Sequence, residues 1–507
     1  MSNIWIISPI IFQLASAVVL LFLWSFTKVQ KILSLLLTLF GLGIAIWIFI
    51  LVYHQGIQVT QAGNWSAPFG ITFVADAFAV TLVLLTAIAG FAVSVFSFGS
   101  ISEERLKFGY YPMLHFLLMG LQGAFLTGDI FNLYVWFEVI IISSFVLITI
   151  GGKKAQLEGA IKYVALNLLA SVFFLIGIAF LYGLTGSLNM ADLAIIVQKI
   201  ENRGLVNVTA SLFLVAFGIK SAVFPLYFWL PASYHTPPPA VAAIFGGLLT
   251  KVGVYAMVRT FTLIFVGDEF LGIVLSVMAA LTILSGGLGA LYHEHIGKIF
   301  GYFIICHIGF MMAGLGMMTE MAIVGTIFYL IHDIIVKTNL FMVSGLILKI
   351  NGTQNIKALG GMYTSYPLLS LLMAIPLFSL VGIPPLSGFW AKIFFIQGGL
   401  EASEYALVAF VILGSFLTLW VIGKVWAEVF WKPGINLPVK ANGIYFNELG
   451  KKEQWAYVLP IIFLSMISLY IGFWAENIIV LAKQIAGELM DPSLYIETVL
   501  GLKNIKS

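Results

Sequence analysis

Apolar runs of about 18 residues or more recur along nearly the whole chain, and they constrain the fold more than any other feature. A helix of about 20 residues crosses roughly 30 Å of hydrocarbon, so each run is long enough to span a bilayer. The composition agrees, because 61% of the 507 residues are hydrophobic and only 9% are charged. A soluble domain is closer to half apolar and one quarter charged. The sequence therefore predicts an all-α polytopic membrane protein.

We place about fourteen membrane spans along the chain and number them 1 to 14 in chain order. They cover residues 4–24, 31–53, 72–97, 109–127, 130–150, 159–183, 205–225, 238–263, 270–292, 296–318, 321–349, 367–396, 404–430 and 455–476. The loop 54–71 has alternating polarity and a Gly-Asn turn, which predicts a small β-hairpin. The tail after Asn477 predicts an amphipathic helix at the membrane interface.

Lysine and arginine are distributed unevenly between the two sides of the membrane. One set of alternate loops and span ends holds Lys28, Lys31, Arg105, Lys107, Lys153, Lys154, Lys298, Lys349, Lys357, Lys432, Lys440, Lys451 and Lys452. The opposite set holds only Lys199, Arg203 and the tail lysines Lys483, Lys503 and Lys506. Cytoplasmic loops carry the excess of positive charge, so both termini are predicted to lie outside the cytoplasm.

Two spans are interrupted by proline. Span 7 reads FGIKSAVFPLYFWLP, with Lys220 shortly before Pro225, and span 12 reads LVGIPPLSGFWAKIFF, with Pro384 and Pro385 before Lys392. Proline removes a helical hydrogen bond, and broken backbone at membrane depth is tolerated where it lines a polar cavity or is buried in protein. The breaks are five helices apart, which gives consecutive five-helix units opposite topology. Such paired breaks in an inverted repeat indicate an ion or substrate path.

These breaks divide the chain into four predicted parts. Residues 1–108 hold spans 1 to 3, 109–263 the first five-helix repeat, 270–430 the second, and 431–507 span 14 with the interfacial tail. We expect the two repeats to be inverted relative to each other, with the broken helices at spans 7 and 12.

Ionisable side chains recur inside the predicted spans, where each charge costs about 2.5–3.5 kcal/mol or more. They are Glu138, Lys220, Lys251, Cys306, His307, His332, Asp333, Lys337 and Lys392. One interpretation is structural, since a buried Glu–Lys pair can clip two helices together. However, four of these costly groups, two of them beside backbone breaks, are more than one structural clip needs: Glu138, Lys220, Lys251 and Lys392. Because lysine loses its proton readily on burial, a row of such lysines predicts a proton path.

Some charged residues fit a structural role as well as a functional one. His307 is equally consistent with the path and with a core histidine bonded to a carbonyl. Lys424 and Glu428 are four residues apart near a cytoplasmic helix end, which predicts an ordinary same-face pair.

The sequence offers no site for a cofactor or a metal. Its single cysteine, Cys306, cannot form an internal disulfide or an iron–sulfur cluster alone, and no dinucleotide fingerprint or phosphate loop is present. The net charge of +3 is too small to indicate nucleic acid binding. Redox or ATP chemistry would therefore have to come from another subunit, and no catalytic role is expected here.

The stretches FGIKSAVFPLYFWLPASYHTPPPAVAAIFGGLLTKVGVYAM and LVGIPPLSGFWAKIFF resemble the antiporter-like subunits shared by respiratory complex I, membrane-bound hydrogenases and Mrp-type cation/proton antiporters. The resemblance is best over about 110–430. Within this family, YLIHDIIVKTNLFMVSGLILKI and LTGSLNMADLA are most similar to the D subunit of bacterial Mrp sodium/proton antiporters. The resemblance implies fourteen helices, two inverted five-helix repeats and a location in the bacterial cell membrane.

The resemblance also implies roles for individual residues. Glu138, Lys220, Lys251 and Lys392 match the family's buried glutamate and lysines, and we expect Glu138 to pair with Lys220. Span 11 departs from many relatives, which have a histidine four residues before the lysine. Here Asp333 occupies that position, four residues before Lys337, and His332 is adjacent. Either His332 or Asp333 could serve as the relay.

Three functions remain open from the sequence. The first is a subunit of a multisubunit sodium/proton antiporter that works with other Mrp subunits in the lipid bilayer. The second is a proton-pumping membrane subunit of a redox complex such as complex I or a hydrogenase. The third is a structural subunit that conducts nothing, which the buried lysines disfavour. Protons fit the lysines, whereas Na⁺ prefers oxygen ligands and could pass through a partner.

Overall fold

The chain is described by a computed structural model that covers residues 3–434 and 443–502. Within that part, twelve helices are long and apolar enough to cross a membrane: Ile4–Phe22, Thr27–Gln55, Ala77–Ser100, Ile130–Thr149, Lys154–Thr185, Arg203–Ser221, Pro239–Leu263, Glu269–Tyr292, Ile296–Met317, Glu320–Asn351, Tyr405–Trp431 and Lys451–Phe473. The prediction of an all-α polytopic membrane protein is confirmed. Lys440, Lys503 and Lys506, which were used to assign the orientation, lie outside the described residues.

Spans 4 and 12 take shorter helices than the others. Span 4 is the 17-residue helix Tyr110–Leu126, and span 12 consists of the helices Pro367–Val381 and Ser387–Glu401. The count of fourteen crossings, the four-part division and the inverted repeat stay predictions. The remaining short helices are Glu103–Leu106, Met190–Gln198, Trp229–Ser233, Met362–Ser365, Ala475–Met490 and Ser493–Leu500, with 3₁₀ turns at Ile4–Ile7, Ala62–Asn64, Ile356–Ala358 and Phe446–Glu448.

The predicted hairpin in the loop between spans 2 and 3 is confirmed. Strand β1 (Gln58–Gln61) pairs antiparallel with β2 (Thr72–Ala75), with Gln58 opposite Ala75. The turn after β1 contains Gly63 with φ 65°, a backbone conformation that glycine adopts without strain.

Spans 8, 10 and 11 form the centre of the protein, because nearly all of their residues are buried. Two glycines let spans 8 and 11 approach closely. A Cβ at Gly246 would collide with the ring of Phe341, and a Cβ at Gly247 would collide with Thr338 Oγ1. Spans 1, 2, 6 and 13 are peripheral and keep many exposed apolar side chains.

The C-terminal tail forms the predicted amphipathic helix, which begins slightly earlier than expected. Helix Ala475–Met490 packs its buried face, including Leu481 and Ile485, mainly against span 11. Helix Ser493–Leu500 follows and contacts Met190–Gln198 and β1. The tail thus covers part of the protein, and its position at the membrane interface stays a prediction.

Candidate ion path

The break in span 7 places Lys220 at the end of a half-helix. Helix Arg203–Ser221 ends at Ala222, which has a left-handed φ of 61°, and the chain resumes helical structure at Trp229. Trp229 Nε1 donates to Ile219 O at 2.9 Å, which satisfies a carbonyl near the break. The predicted interruption around Pro225 is confirmed.

Lys220 is buried in a mostly aromatic environment. Its Nζ lies 3.4 Å from Ser171 Oγ and 4.6 Å from the centre of the Phe137 ring. A cavity of about 20 Å³ beside it is also lined by Tyr163 and Asn167. Among the described residues, the ammonium is therefore held by a single hydroxyl and a ring face.

Glu138 does not form the predicted ion pair with Lys220. Among the described residues its Oε1 is buried without a hydrogen-bond partner, and no carboxylate lies within 4.0 Å of Lys220 Nζ. The preceding residue, Phe137, occupies the position under the ammonium. Consecutive helical residues point about 100° apart, so Phe137 and Glu138 cannot both face Lys220 directly. No direct contact therefore joins Glu138 to Lys220.

Lys251 follows a widened turn in span 8. A π-helical turn lies at Phe245–Leu249, and Lys251 Nζ donates to Gly246 O in that turn at 2.9 Å. Such turns occur frequently at functional sites. The same Nζ lies 2.8 Å from Asp333 Oδ2 in span 11, and neither side chain has exposed surface.

His307 belongs to the same cluster. Its Nδ1 lies 3.6 Å from Asp333 Oδ1, and its Nε2 lies 3.2 Å from Thr418 Oγ1 in span 13. The contact with Asp333 is longer than a hydrogen bond. The structure thus brings together Lys251, Asp333 and His307 from spans 8, 11 and 10.

Lys337 lies one helical turn beyond Asp333 in span 11. Its side chain is fully buried, and its Nζ lies 5.4 Å from the centre of the Phe303 ring. Within residues 3–434 and 443–502, that Nζ has no hydrogen-bond acceptor. Asp333, at the i−4 position, supplies its nearest balancing charge.

The break in span 12 holds Lys392 by backbone carbonyls. The first half-helix ends at Val381, before Gly382 with φ 82°, and the second begins at Ser387. Lys392 Nζ donates to Val381 O at 2.6 Å and lies 3.5 Å from Leu380 O. A cation is favoured at a helix C-terminus, where carbonyls are unpaired. The predicted break at Pro384 and Pro385 is confirmed.

His332 faces the same break. Its Nδ1 lies 2.7 Å from Ser387 Oγ, at the start of the second half-helix. His332 and Asp333 therefore point to different partners, the first to span 12 and the second to span 8. In the described part of the chain no three His, Cys, Asp or Glu side chains are grouped as a metal site would need.

One buried ion pair escaped sequence reasoning. Arg259 Nη2, near the end of span 8, lies 2.6 Å from Asp76 Oδ2, and the guanidinium contacts the rings of Tyr255 and Tyr495. Tyr495 belongs to the C-terminal tail, so the pair ties that tail to spans 3 and 8. The signal was available, since Arg259 interrupts the apolar run of span 8 and Asp76 lies near the start of the apolar run of span 3.

A second missed group is a buried network in the N-terminal spans. His115 Nδ1 lies 2.7 Å from Gln13 Oε1, and its Nε2 lies 3.0 Å from Ser34 Oγ. Both ring nitrogens are satisfied by side chains from spans 1 and 2. This network holds three helices together. It is separate from the lysine row, by which we mean Lys220, Lys251, Lys337 and Lys392.

The predicted pair between Lys424 and Glu428 is wrong. Span 13 ends in a π-helical turn at Ala427–Trp431, which rotates Glu428 away from Lys424. Glu428 pairs with Lys432 at 3.0 Å instead, and Lys424 Nζ lies 3.5 Å from Leu291 O.

Comparison with known protein families gives one match over the middle of the chain. Residues 127–418 match the model of the family described as NADH:quinone oxidoreductase/Mrp antiporter, transmembrane. The matched region contains the lysine row together with Glu138 and Asp333.

Curated relatives match over the full length. The chain is 43% identical over 501 residues to the D subunit of the Na(+)/H(+) antiporter of Alkalihalophilus pseudofirmus, covering 99% of this chain and 100% of that protein. It is 40% identical over 499 residues to the D subunit of the Na(+)/H(+) antiporter of Bacillus subtilis, covering 98% and 99%.

Two solved structures share the whole fold. A chain of the Mrp complex from Dietzia sp. DQ12-45-1b superposes with a TM-score of 0.88 at 28% identity, covering 98% of this chain and 100% of that one. A chain of the membrane-bound sulfane sulfur reductase, an archaeal respiratory membrane complex, superposes with a TM-score of 0.89 at 28% identity, covering 97% and 99%.

Proposed function

We propose that this chain, which belongs to the NADH:quinone oxidoreductase/Mrp antiporter family, carries the proton path of a multisubunit sodium/proton antiporter. The chain is a multi-pass membrane protein and an antiporter subunit of the Mrp type, corresponding to the D subunit. Its partners are the other subunits of the hetero-oligomeric complex. The observation that carries the proposed path is the buried contact between Lys251 and Asp333, with further lysines at both helix breaks.

A redox complex is the alternative, because the family includes subunits of both kinds. The same row of lysines would serve either, with the energy source in the partners. Identities of 43% and 40% over nearly the whole length to two antiporter D subunits favour the antiporter.

The path runs from the first break to the second through the centre of the protein. Lys220 releases its proton toward Lys251 when the field of Glu138 weakens. Asp333 balances one positive charge, and it is near both Lys251 and Lys337. Protonation of one lysine therefore disfavours protonation of the other, so a proton arriving at Lys251 drives one from Lys337 toward Lys392. His332 and His307 lie beside this row.

Lysine ammonium groups repel Na⁺, so the row carries protons. Sodium requires oxygen ligands, which a partner subunit or an interface would supply. The lysine distribution supports termini that lie outside the cytoplasm of a bacterial plasma membrane.

Exchange assayed with and without the partner subunits tests the proposal. Sodium/proton exchange is expected in vesicles that contain the whole assembly and not in liposomes that contain this chain alone. Copurification of small membrane subunits is expected, and copurification of flavin or iron–sulfur proteins would favour the redox alternative. Robust exchange by the purified single chain would contradict the assembly requirement.

A further inference from the structure

Three buried serines connect His332 to both halves of span 12 and to span 14. Ser387 Oγ lies 2.7 Å from His332 Nδ1 and 3.1 Å from Ser468 Oγ, and Ser468 Oγ donates to Ser379 Oγ at 3.1 Å. Ser379 precedes the break in span 12, Ser387 follows it, and Ser468 belongs to span 14. All four side chains are buried.

The hydrogen bonds of this chain of hydroxyls have one consistent direction. A serine has one proton to donate, and that of Ser468 goes to Ser379. Ser468 must then accept from Ser387, which in turn accepts from His332 Nδ1–H. A proton can leave the imidazole along this line, since each hydroxyl receives one proton and passes one on.

The far end of the chain of hydroxyls belongs to the half-helix that ends at the Lys392 site. Ser379 is followed directly by Leu380 and Val381, whose carbonyl oxygens hold Lys392 Nζ. The serines therefore connect the ring of His332 in span 11 to the half-helix whose last carbonyls hold Lys392. No other described side chain accepts a hydrogen bond from, or donates one to, Ser387.

Span 14 packs closely against the break in span 12, which keeps Ser468 within hydrogen-bond distance of Ser387. Trp390 Nε1 donates to Gly472 O at 3.0 Å. A Cβ at Gly472 would lie 2.6 Å from Pro385 O and 2.9 Å from Ser387 N, so only glycine permits this approach. Ser468 and Gly472 are one helical turn apart on the same face of span 14.

We propose that Ser387, Ser468 and Ser379 form a hydroxyl relay that passes a proton between His332 and the Lys392 pocket, with span 14 as a working part of the path. The inference rests on the proposed function of the lysine row. In the step, the imidazolium gives one proton to Ser387, and Ser387 and Ser468 each accept one proton and pass one on. Ser379 gives one proton to the neutral Lys392 amine, which turns on its flexible stem from Val381 O toward Ser379 Oγ to accept it, and the hydroxyls then return to their starting state by rotation. The charged groups that act on His332 are Asp333 and Lys337 of its own helix, Lys251 of span 8 and Lys392 of span 12.

Serine-to-alanine variants in the whole assembly test the relay. Ser468→Ala should slow sodium/proton exchange several-fold and shift its pH profile, because the line of hydroxyls is broken. Ser387→Ala should act in the same way. The double variant should be no slower than the slower single variant, since the two serines act in series. Ser465→Ala is the matched control, because Ser465 is as buried as Ser468, lies one turn away, and bonds Asn339 at 2.9 Å instead.

The outcomes separate the relay from the lysine row. Equal rates and equal pH profiles for Ser468→Ala and Ser465→Ala would overturn the relay, and so would additive losses in the double variant. A Lys251→Met assembly is measured in parallel. If it loses exchange while Ser468→Ala matches its control, only the relay is wrong. If it keeps wild-type exchange, the proposed function fails and the relay fails with it.

Discussion

Lys251 Nζ lies 2.8 Å from Asp333 Oδ2, and both side chains are fully buried between spans 8 and 11. The contact joins the predicted first repeat to the predicted second repeat at the centre of the protein. It depends on a close helix approach that Gly246 and Gly247 allow. A pair in this position can act as a structural clip or as a step for protons, and variants that alter charge separate the two.

Removing one charge of this pair should destabilise the protein more than removing both. Asp333→Asn leaves Lys251 and Lys337 without their balancing charge, which costs roughly 3–5 kcal/mol for a buried pair. Adding Lys251→Met should recover most of the loss. Thermal denaturation of the purified assembly measures both. Equal melting temperatures for wild type and Asp333→Asn would show that Asp333 is not the counter-charge.

Substitution of a lysine deep inside the membrane should reduce exchange far more than substitution of a lysine near the membrane edge. Lys220→Ala removes a buried ammonium at the first break, so exchange should be abolished. Lys424→Ala removes a half-buried lysine with only a long carbonyl contact, so exchange should change by less than about twofold. Both are measured as exchange in vesicles at matched expression. Wild-type exchange in the Lys220→Ala assembly would remove that lysine from the path.

Charge and shape can be separated at Glu138. If the carboxylate acts on Lys220 through its field, Glu138→Asp should keep partial exchange and Glu138→Gln should lose it although the shape is preserved. The pH optimum of any residual exchange should also shift, because a desolvated lysine without a negative neighbour loses its proton more readily. A pH profile of exchange for the three side chains measures this. An unchanged rate and optimum in Glu138→Gln would make the carboxylate structural.

Asp129 should make the protein less stable as the pH rises. It caps span 5 by accepting from Asn132 N at 2.7 Å, and burial raises its pKa from 3.8 to about 6. The folded state then binds more protons than the unfolded state between about pH 4 and 6, so stability falls through that window, by up to about 3 kcal/mol. Asparagine keeps the cap without the charge.

The Asp129→Asn assembly should therefore melt above wild type at pH 8 and together with it near pH 4. Asp268→Asn is the control, because Asp268 caps span 9 from a more exposed position. A melting difference that is the same at both pH values would show that the Asp129 charge is not the cause.

Local features of the sequence predicted the helix breaks correctly. Pro225, Pro384 and Pro385 interrupt apolar runs, and each removes a helical hydrogen bond donor. The cost of a charge in hydrocarbon likewise identified the buried lysines before any packing was known. These rules need only the neighbouring residues.

Pairings between distant spans were not predictable in the same way. Lys251 and Asp333 meet because two glycines bring their helices together, and Glu138 misses Lys220 because Phe137 faces it. The π-helical turn at the end of span 13 redirected Glu428 to Lys432. The pair of Asp76 and Arg259 was overlooked because each residue lies at the edge of an apolar run, where charge is common.

The most direct measurement is sodium-driven proton movement by the reconstituted whole assembly that carries Lys251→Met together with Asp333→Asn. This variant removes the central charges as a pair, so it should assemble and melt closer to wild type than Asp333→Asn alone. Our account predicts no exchange above that of empty liposomes, because the proton has lost its central step. Exchange at the wild-type rate from an intact assembly would contradict the account.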